Sequence, residues 1–321
     1  MKKFKFLTII LSFAVFLSSF MACAPDQSES SETSSSESSE ASSSESSEAS
    51  SSESSEVSSY ELNIMSFNIR WPVGDDWGVR DWDSRKEHVV EHINNSGADI
   101  IALQEIHYKK DQYVYVRENL KEDYEIIYFG NEVTLATIYD KTVFNLVSID
   151  KYWLSETPNE PSISWDGTAY RAACILYLEH KATGEMVRSI NTHGPLKEEG
   201  NVRAFSLLAT RSLSGLSHPF TVLCGDFNAE PNQRGYVPIA EKLQDCRVSA
   251  KESPNRDKNT YNGYKETPET EPTHRLIDYC FVSKGKNVEV LSYKVRTDKW
   301  GEGNHISDHY AVQTTVRVNL K

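Results

Sequence analysis

"VLCGDFNAEP", residues 222–231, reads as a strand leaving a core: Val222, Leu223 and Cys224 are apolar, and Pro231 closes the stretch. Between them, Gly225-Asp226-Phe227-Asn228 offers a carboxylate and an amide two residues apart, with an aromatic in the middle. Side chains alternate along an extended chain, so Asp226 and Asn228 are expected on one side and Phe227 on the other. Taken singly, such a residue is usually a turn former or a helix cap. The pattern recurs, however. "LNIMSFNIR" ends an apolar run with Asn68, "IIALQE" ends one with Glu105, and "RSINTHG" ends one with His193. "LIDYCF" opens with Asp278, and "HISDHY" places Asp308 and His309 before another apolar run.

If Glu105, Asp226, Asp278 and Asp308 share one pocket, each pair about 4 Å apart repels by roughly 4 kcal/mol at an effective dielectric near 20. A positive partner has to offset that. Carboxylates and amides form an all-oxygen set, which suits a hard cation such as Mg²⁺ or Mn²⁺ rather than zinc.

The segments "MSFNIR", "DIIALQE", "INTHG", "CGDFNAEP", "RLIDYCFV" and "SDHYAV" follow one another as in the endonuclease/exonuclease/phosphatase superfamily, and the chain resembles it over about residues 61–318. Deoxyribonuclease I, apurinic endonucleases, bacterial sphingomyelinases and inositol polyphosphate phosphatases belong to that superfamily. "WLSETP" (153–158) and the Trp82/Arg85 pattern in "RDWDSRKEHV" resemble its bacterial small-hydrolase branch. The resemblance implies an α+β fold, a four-layer αββα sandwich of two packed mixed sheets flanked by helices, with a cation at one end. It implies Glu105 as the principal metal ligand, with Asn68 and Asp308 beside it. Asp226 would orient or deprotonate the attacking water, and Asn228 would hold a phosphate oxygen. His309, held by Asp278, would contact the phosphate, as would Arg171 of "AYRAAC". His193 would stabilise developing charge or assist the leaving group. One departure stands out: the branch usually reads Thr-His-Leu-Asp where this chain has Thr192-His193-Gly194-Pro195.

The first 59 of the 321 residues have another character. Residues 1–22 carry Lys2, Lys3 and Lys5, an apolar run from Phe6 to Phe20 and a small residue before Cys23, the layout of a signal peptide. "SFMAC" resembles a bacterial lipobox, which implies a lipid on Cys23. Residues 23–59 continue as a Ser/Glu-rich linker with three near-identical octads: SSSESSEA (34–41), SSSESSEA (42–49) and SSSESSEV (50–57). It has almost nothing to bury, so a disordered tether is expected. Its coil would reach roughly 30 Å, and on the order of 110 Å fully stretched. The sequence therefore predicts a secreted enzyme anchored at the outer face of a bacterial cell membrane, with residues 60–321 as its catalytic domain.

The net charge of −13 divides into −6 for residues 1–59 (three Lys against Asp26 and eight Glu) and −7 for the rest. An acidic body argues against strong non-specific binding to long nucleic acid, which depends on neutralising phosphates. A monomeric phosphoesterase acting on a small phosphorylated substrate is the favoured reading. A secreted nuclease acting on DNA or RNA, or a catalytically silent surface-binding domain, are the alternatives. Cys174, Cys224, Cys246 and Cys280 lack a metal-site or framework spacing, so buried free thiols are expected.

Strands are predicted near 62–69, 98–105, 124–129, 134–139, 143–154, 170–178, 186–192, 219–225, 277–283, 287–296 and 310–318. Helices are predicted over 84–95, 108–120, 199–213 and near 238–244. His88 and His92 lie four apart, but no third ligand is evident and a solvated helix face is the favoured reading. The loops "WPVGDDWGVRDW" (71–82) and "TYNGYKETPETEPTH" (260–274) are candidate rims of the site, and Trp153 and Trp165 read as packing residues.

Overall fold

Along β1 (Ser59–Asn68) the even-numbered Tyr60, Leu62 and Ile64 enter one apolar core, and the odd-numbered Met65 and Phe67 enter another. A strand apolar on both faces needs a layer on each side, and the rest of the chain supplies them. The computed structural model describes residues 58–72, 76–214, 219–265 and 275–320. The expected signal peptide, the lipid site expected at Cys23 and the expected linker through residue 57 lie outside the described residues, as do 73–75 and 266–274 of the two candidate loops. No helix among the described residues is long and apolar enough to cross a membrane.

Two six-stranded sheets form the middle of the molecule. The first runs β11 (Val288–Arg296), β14 (Ala311–Asn319), β1, β2 (Ile100–Gln104), β4 (Leu135–Asp140), β3 (Tyr124–Tyr128). The second runs β5 (Phe144–Trp153), β6 (Ala172–His180), β7 (Met186–His193), β8 (Phe220–Asp226), β10 (Asp278–Ser283), β9 (Leu243–Asp245). Each is mixed, with one parallel pair: β1 with β2, and β7 with β8. A short hairpin, β12 (Lys299–Trp300) and β13 (Asn304–His305), stands apart.

Helices cover the outer faces. On the first sheet α1 (Trp82–Asn94) packs Trp82, Val89, Val90 and Ile93, and α2 (Gln112–Asn119) packs Tyr113 and Val116. The Asp81 carboxylate caps α1 by accepting the Asp83 N–H, and Gly97 at φ +63° follows its end. On the second sheet α3 (Glu198–Ser212) buries Ala204, Phe205 and Leu208, and α4 (Val237–Ala240) buries Ile239. The resulting αββα sandwich has three apolar layers, and the expected α+β fold is observed.

Two expectations are corrected. The helix predicted near 238–244 is cut short: α4 ends at Ala240, and Leu243–Asp245 pairs with β10 as β9 before the single-turn α5 (Cys246–Ser249). A three-residue strand recruited by its neighbour carries no period of its own. The His88/His92 face is not solvated either. His92 is buried against Phe67, 5.2 Å between rings, and His88 stacks on Trp300 at 4.4 Å. Cys174, Cys224, Cys246 and Cys280 are free and buried, as expected.

One regularity positions the site. The face of each central strand that lines the layer between the sheets turns polar towards the same end. On β1, Leu62 and Ile64 give way to Ser66 and Asn68; on β8, Val222 and Cys224 give way to Asp226. Val187 of β7 is followed on that face by Ser189, Asn191 and His193, and β10 begins with Asp278 before Cys280 and Val282.

Gly225 shows how tightly β8 is held there. A Cβ at this position would lie 2.1 Å from the Thr192 carbonyl oxygen, its partner across the parallel β7–β8 pair. Gly225→Ala is therefore expected to cost about 3 kcal/mol through a backbone shift, read as a lower urea midpoint with unchanged slope.

Candidate active site

Asp226 sits at the centre. Register places it directly opposite Asp278 on one neighbouring strand and beside His193 on the other. Its Oδ2 is 3.4 Å from His193 Nε2 and 3.7 Å from His309 Nε2, and it accepts from Asn68 Nδ2 at 3.1 Å. Its Oδ1 accepts the Asn228 backbone N–H at 2.9 Å. His309 Nδ1 donates to Asp278 Oδ2 at 2.9 Å, which fixes the ring and directs Nε2 at Asp226.

The first sheet contributes the other half. Asn68 Nδ2 also donates to Glu105 Oε1 at 3.2 Å, and the Trp71 backbone N–H donates to Glu105 Oε2 at 2.7 Å. Arg70 Nη1 reaches Asp308 Oδ2 at 3.2 Å while its Nε holds Asp76 at 3.0 Å. Three non-glycine residues in the left-handed region lie at these strand ends: Arg70 (φ 65°), Glu105 (φ 61°) and Asn228 (φ 49°). Such backbone costs of order 1–3 kcal/mol per residue and clusters at functional sites. It also amends the alternation argument. The strand ends at Asp226, and the kink at Asn228 turns its Nδ2 onto the Gly194 carbonyl at 3.2 Å. Phe227 behaves as expected, stacked on Phe205 at 4.4 Å and packed against Tyr279 and Phe281.

Burial and neighbouring charge separate the protonation states. Burial and the facing Asp278 push Asp226 up to about 7, although His309 pulls the other way. Burial opposes the proton on His309, but Asp278, Asp226 and Asp308 outweigh it and hold the imidazolium well above its usual range. His193 is held well below its usual range by burial, then by Arg171 and His309, so it is neutral. Burial also raises Asp308, with His309 opposing and Glu105 adding to the rise.

The expected residues thus converge: Asn68, Glu105, Arg171, His193, Asp226, Asn228, Asp278, Asp308 and His309 line one end of the inter-sheet layer. Four carboxylates meet there, and buried polar atoms without a partner include Asp278 Oδ1, His193 Nδ1 and Arg171 Nε. An oxygen-rich, anionic set of this kind fits a hard divalent cation. A second grouping also has the spacing for one: ligand atoms of Asp226, Asp278 and His309 all lie within 4.8 Å of one another.

Sequence reasoning left several residues without a role. Arg70 lay inside a quoted motif, yet an arginine after a strand has no distinctive signal. Gln104 Nε2 donates to Asn191 Oδ1 at 2.9 Å, and Asn191 Nδ2 donates to the Ala136 carbonyl at 2.8 Å, joining the two sheets beneath the site. Arg85, fully buried, donates from Nη1 to the carbonyls of Ile69 (3.1 Å) and Ile306 (2.9 Å), tying the ends that bear Asn68 and Asp308. Beside the carboxylates lies a cleft of about 430 Å³, lined by Trp71, Asn131, Glu132, Thr134 and Tyr170 and reaching Glu105, Arg171 and His193.

Comparison with curated proteins finds no match. Among solved structures, an endonuclease/exonuclease/phosphatase family protein from Bacteroides thetaiotaomicron is 25% identical, with a TM-score of 0.72, over 82% of this chain and 96% of that one. A mannosyl-6-phosphatase from Bacteroides thetaiotaomicron VPI-5482 is also 25% identical, at 0.70 over 79% and 99%. TDP2 of D. rerio, complexed with a single-strand DNA product, shares the fold at 13% identity and 0.60, over 80% and 98%. The Endonuclease/Exonuclease/phosphatase family model matches residues 65–309. With that match spanning most of the chain, and the sandwich and its strand-end cluster in place, the protein belongs to the Endonuclease/Exonuclease/phosphatase family of phosphoric ester hydrolases.

Proposed function

We propose that this protein is a divalent-cation-dependent phosphoesterase acting on a small, hydroxyl-rich phosphate ester, with water as the nucleophile. The observation that carries this reading is the placement of Asp226, with its raised proton affinity, between a neutral and a cationic imidazole. Glu105 and Asp308, with Asn68 adjoining, would hold Mg²⁺ or Mn²⁺, which supplies Lewis-acid neutralisation of phosphoryl charge worth several kcal/mol. Asp226 orients the attacking water and takes its proton, a role suited to a carboxylate near 7. His309, kept cationic by Asp278, donates from Nε2 to a phosphoryl oxygen. Arg171 adds a fixed positive charge, and the second Asn228 amide proton is available to the same group. Neutral His193 donates a hydrogen bond towards the departing oxygen.

The cleft supports the substrate class. Its volume suits a single small molecule. Trp71 and Tyr170 offer flat faces for a ring, Asn131 and Glu132 offer hydrogen bonds, and the Glu132 carboxylate disfavours a polyanionic chain. The mannosyl-6-phosphatase relative points the same way. The nuclease reading is supported only at the level of the fold, by TDP2 with its DNA product. The N-terminal sequence supports placing the enzyme outside the cell on a lipid at Cys23; Cys23→Ala is expected to release it from the membrane fraction into the medium.

Phosphate release from a panel of sugar phosphates, nucleotides, phosphodiesters and DNA tests the function. Glu105→Ala and His309→Ala are each expected to lower kcat/KM by about 10²–10⁴-fold with the fold retained. No hydrolysis anywhere in the panel, with Mg²⁺ or Mn²⁺ present, would favour a binding module. Trp71→Ala is expected to raise KM about tenfold for the sugar phosphate with little change in kcat, because it removes contacts shared by ground and transition states. Raising salt from 50 to 200 mM should leave the rate nearly unchanged, whereas a nuclease contacting many phosphates would lose affinity steeply.

A further inference from the structure

The segment 260–263, read from the sequence only as part of a candidate rim, touches every part of the Asp278–His309–Asp308 half of the site. Thr260 is fully buried, and its hydroxyl accepts the N–H groups of Ile277 and Asp278, both at 3.0 Å. The same hydroxyl lies 3.3 Å from the Arg275 carbonyl, to which it donates. These amides lie at the end of β10 that β9 does not reach, since β9 pairs only with Phe281–Ser283. A side-chain oxygen therefore stands where a strand partner is missing. The Thr260 carbonyl accepts the Tyr310 N–H at 2.7 Å, one residue beyond His309. Next along the chain, Tyr261 bridges to His309 and sets its ring edge-on to the imidazole, 5.0 Å between centroids at 70°. Asn262 and Gly263 then donate their N–H groups to the Asp308 carbonyl at 2.8 and 3.0 Å, and Asn262 Nδ2 holds the Ser307 carbonyl at 3.1 Å.

We infer that Thr260–Gly263 is a positioning clamp for the Asp278–His309 pair, anchored by the Thr260 hydroxyl. Asp278 opens β10 in one sheet and His309 lies two residues before β14 of the other, so their 2.9 Å hydrogen bond needs a common reference for the two backbones. The clamp provides it, bonding β10 through one atom of Thr260 and the start of β14 through another. Without the hydroxyl, two buried amides lose their acceptor and the Asp278 end of β10 is free to shift. A displacement near 1 Å at a catalytic pair lowers rates on the order of 10²-fold.

This inference rests on the hydrolytic reading for its rate arm and is independent of it for its spectroscopic arm. Thr260→Val removes the acceptor at nearly constant volume, and Thr260→Ser keeps it. In the full chain, Thr260→Val is expected to lower kcat about 10²-fold with KM within about threefold of wild type, and Thr260→Ser to restore most of the rate. The His309 Nδ1 proton, identified by its loss in His309→Gln, is expected far downfield in the proton NMR spectrum of wild type and Thr260→Ser, and shifted or broadened in Thr260→Val. Should Thr260→Val not fold, Tyr261→Leu carries the test. It leaves both amide bonds intact and is expected to lower kcat at unchanged KM and to move the same proton. Wild-type kcat and an unmoved proton in a folded variant of either kind would overturn the clamp, as would Thr260→Ser behaving like Thr260→Val. If no substrate is turned over, the proton alone decides, and the hydrolase reading fails separately.

Discussion

Everything in this molecule follows from the layer between the two sheets being dry at one end and charged at the other. The same faces of the same strands carry both halves, so the positions of Asn68, His193, Asp226 and Asp278 are set by the packing of Ile64, Val187, Val222 and Cys280 two or more residues away. Because the side-chain period of a strand is two, a slip of one residue would move an acid into the core and an aliphatic group into the site. The geometry of the strand-end cluster and the hydrophobic core are one constraint.

Charge is the cost of that arrangement. Carboxylates gathered at the end of an apolar layer lose water and repel one another, and the structure offsets this with a half-buried arginine, a buried imidazolium and directed N–H groups. Arg70 faces Asp308, the Trp71 amide faces Glu105, and protonated His309 stands between Asp278 and Asp226. The left-handed turns at Arg70, Glu105 and Asn228 are part of the same solution, since each redirects a side chain where regular strand geometry would carry it past the site. Beneath them, Gln104 and Asn191 join the sheets through fully buried amides, so the polar end of the layer is cross-linked rather than merely packed. Removing one member of such a network leaves partners unsatisfied, which costs more than the bond itself contributes.

Much of this was legible in the sequence, for a physical reason. Strands apolar on both faces announce a multilayer sandwich, and an acid or amide interrupting such a strand at its tip is conspicuous against that background. "IIALQE" and "CGDFN" therefore exposed Glu105 and Asp226 with no knowledge of the fold. What stayed hidden depends on contacts distant in the chain. Thr260 is one polar residue in a loop full of them, and its burial is visible only once β10 and β14 are in place. Arg85 stood out only as part of the Trp82/Arg85 pattern and Arg70 only as the end of a quoted motif; what either one ties together depends on strand ends far away in the chain. β9 exists because β10 has an open edge, which no local pattern encodes. The alternation argument placed Phe227 and Asp226 but not the kink that swings Asn228 onto Gly194.

The central claim is that these strand ends gather around one hard cation on the Glu105 side. Anomalous diffraction from crystals soaked in Mn²⁺ tests it most directly. The account predicts a peak in ligand contact with Glu105, adjoining Asp308 and Asn68, with the His309–Asp278 hydrogen bond intact. A peak held instead by Asp226, Asp278 and His309, or no ordered ion at this end of the sandwich, would contradict it.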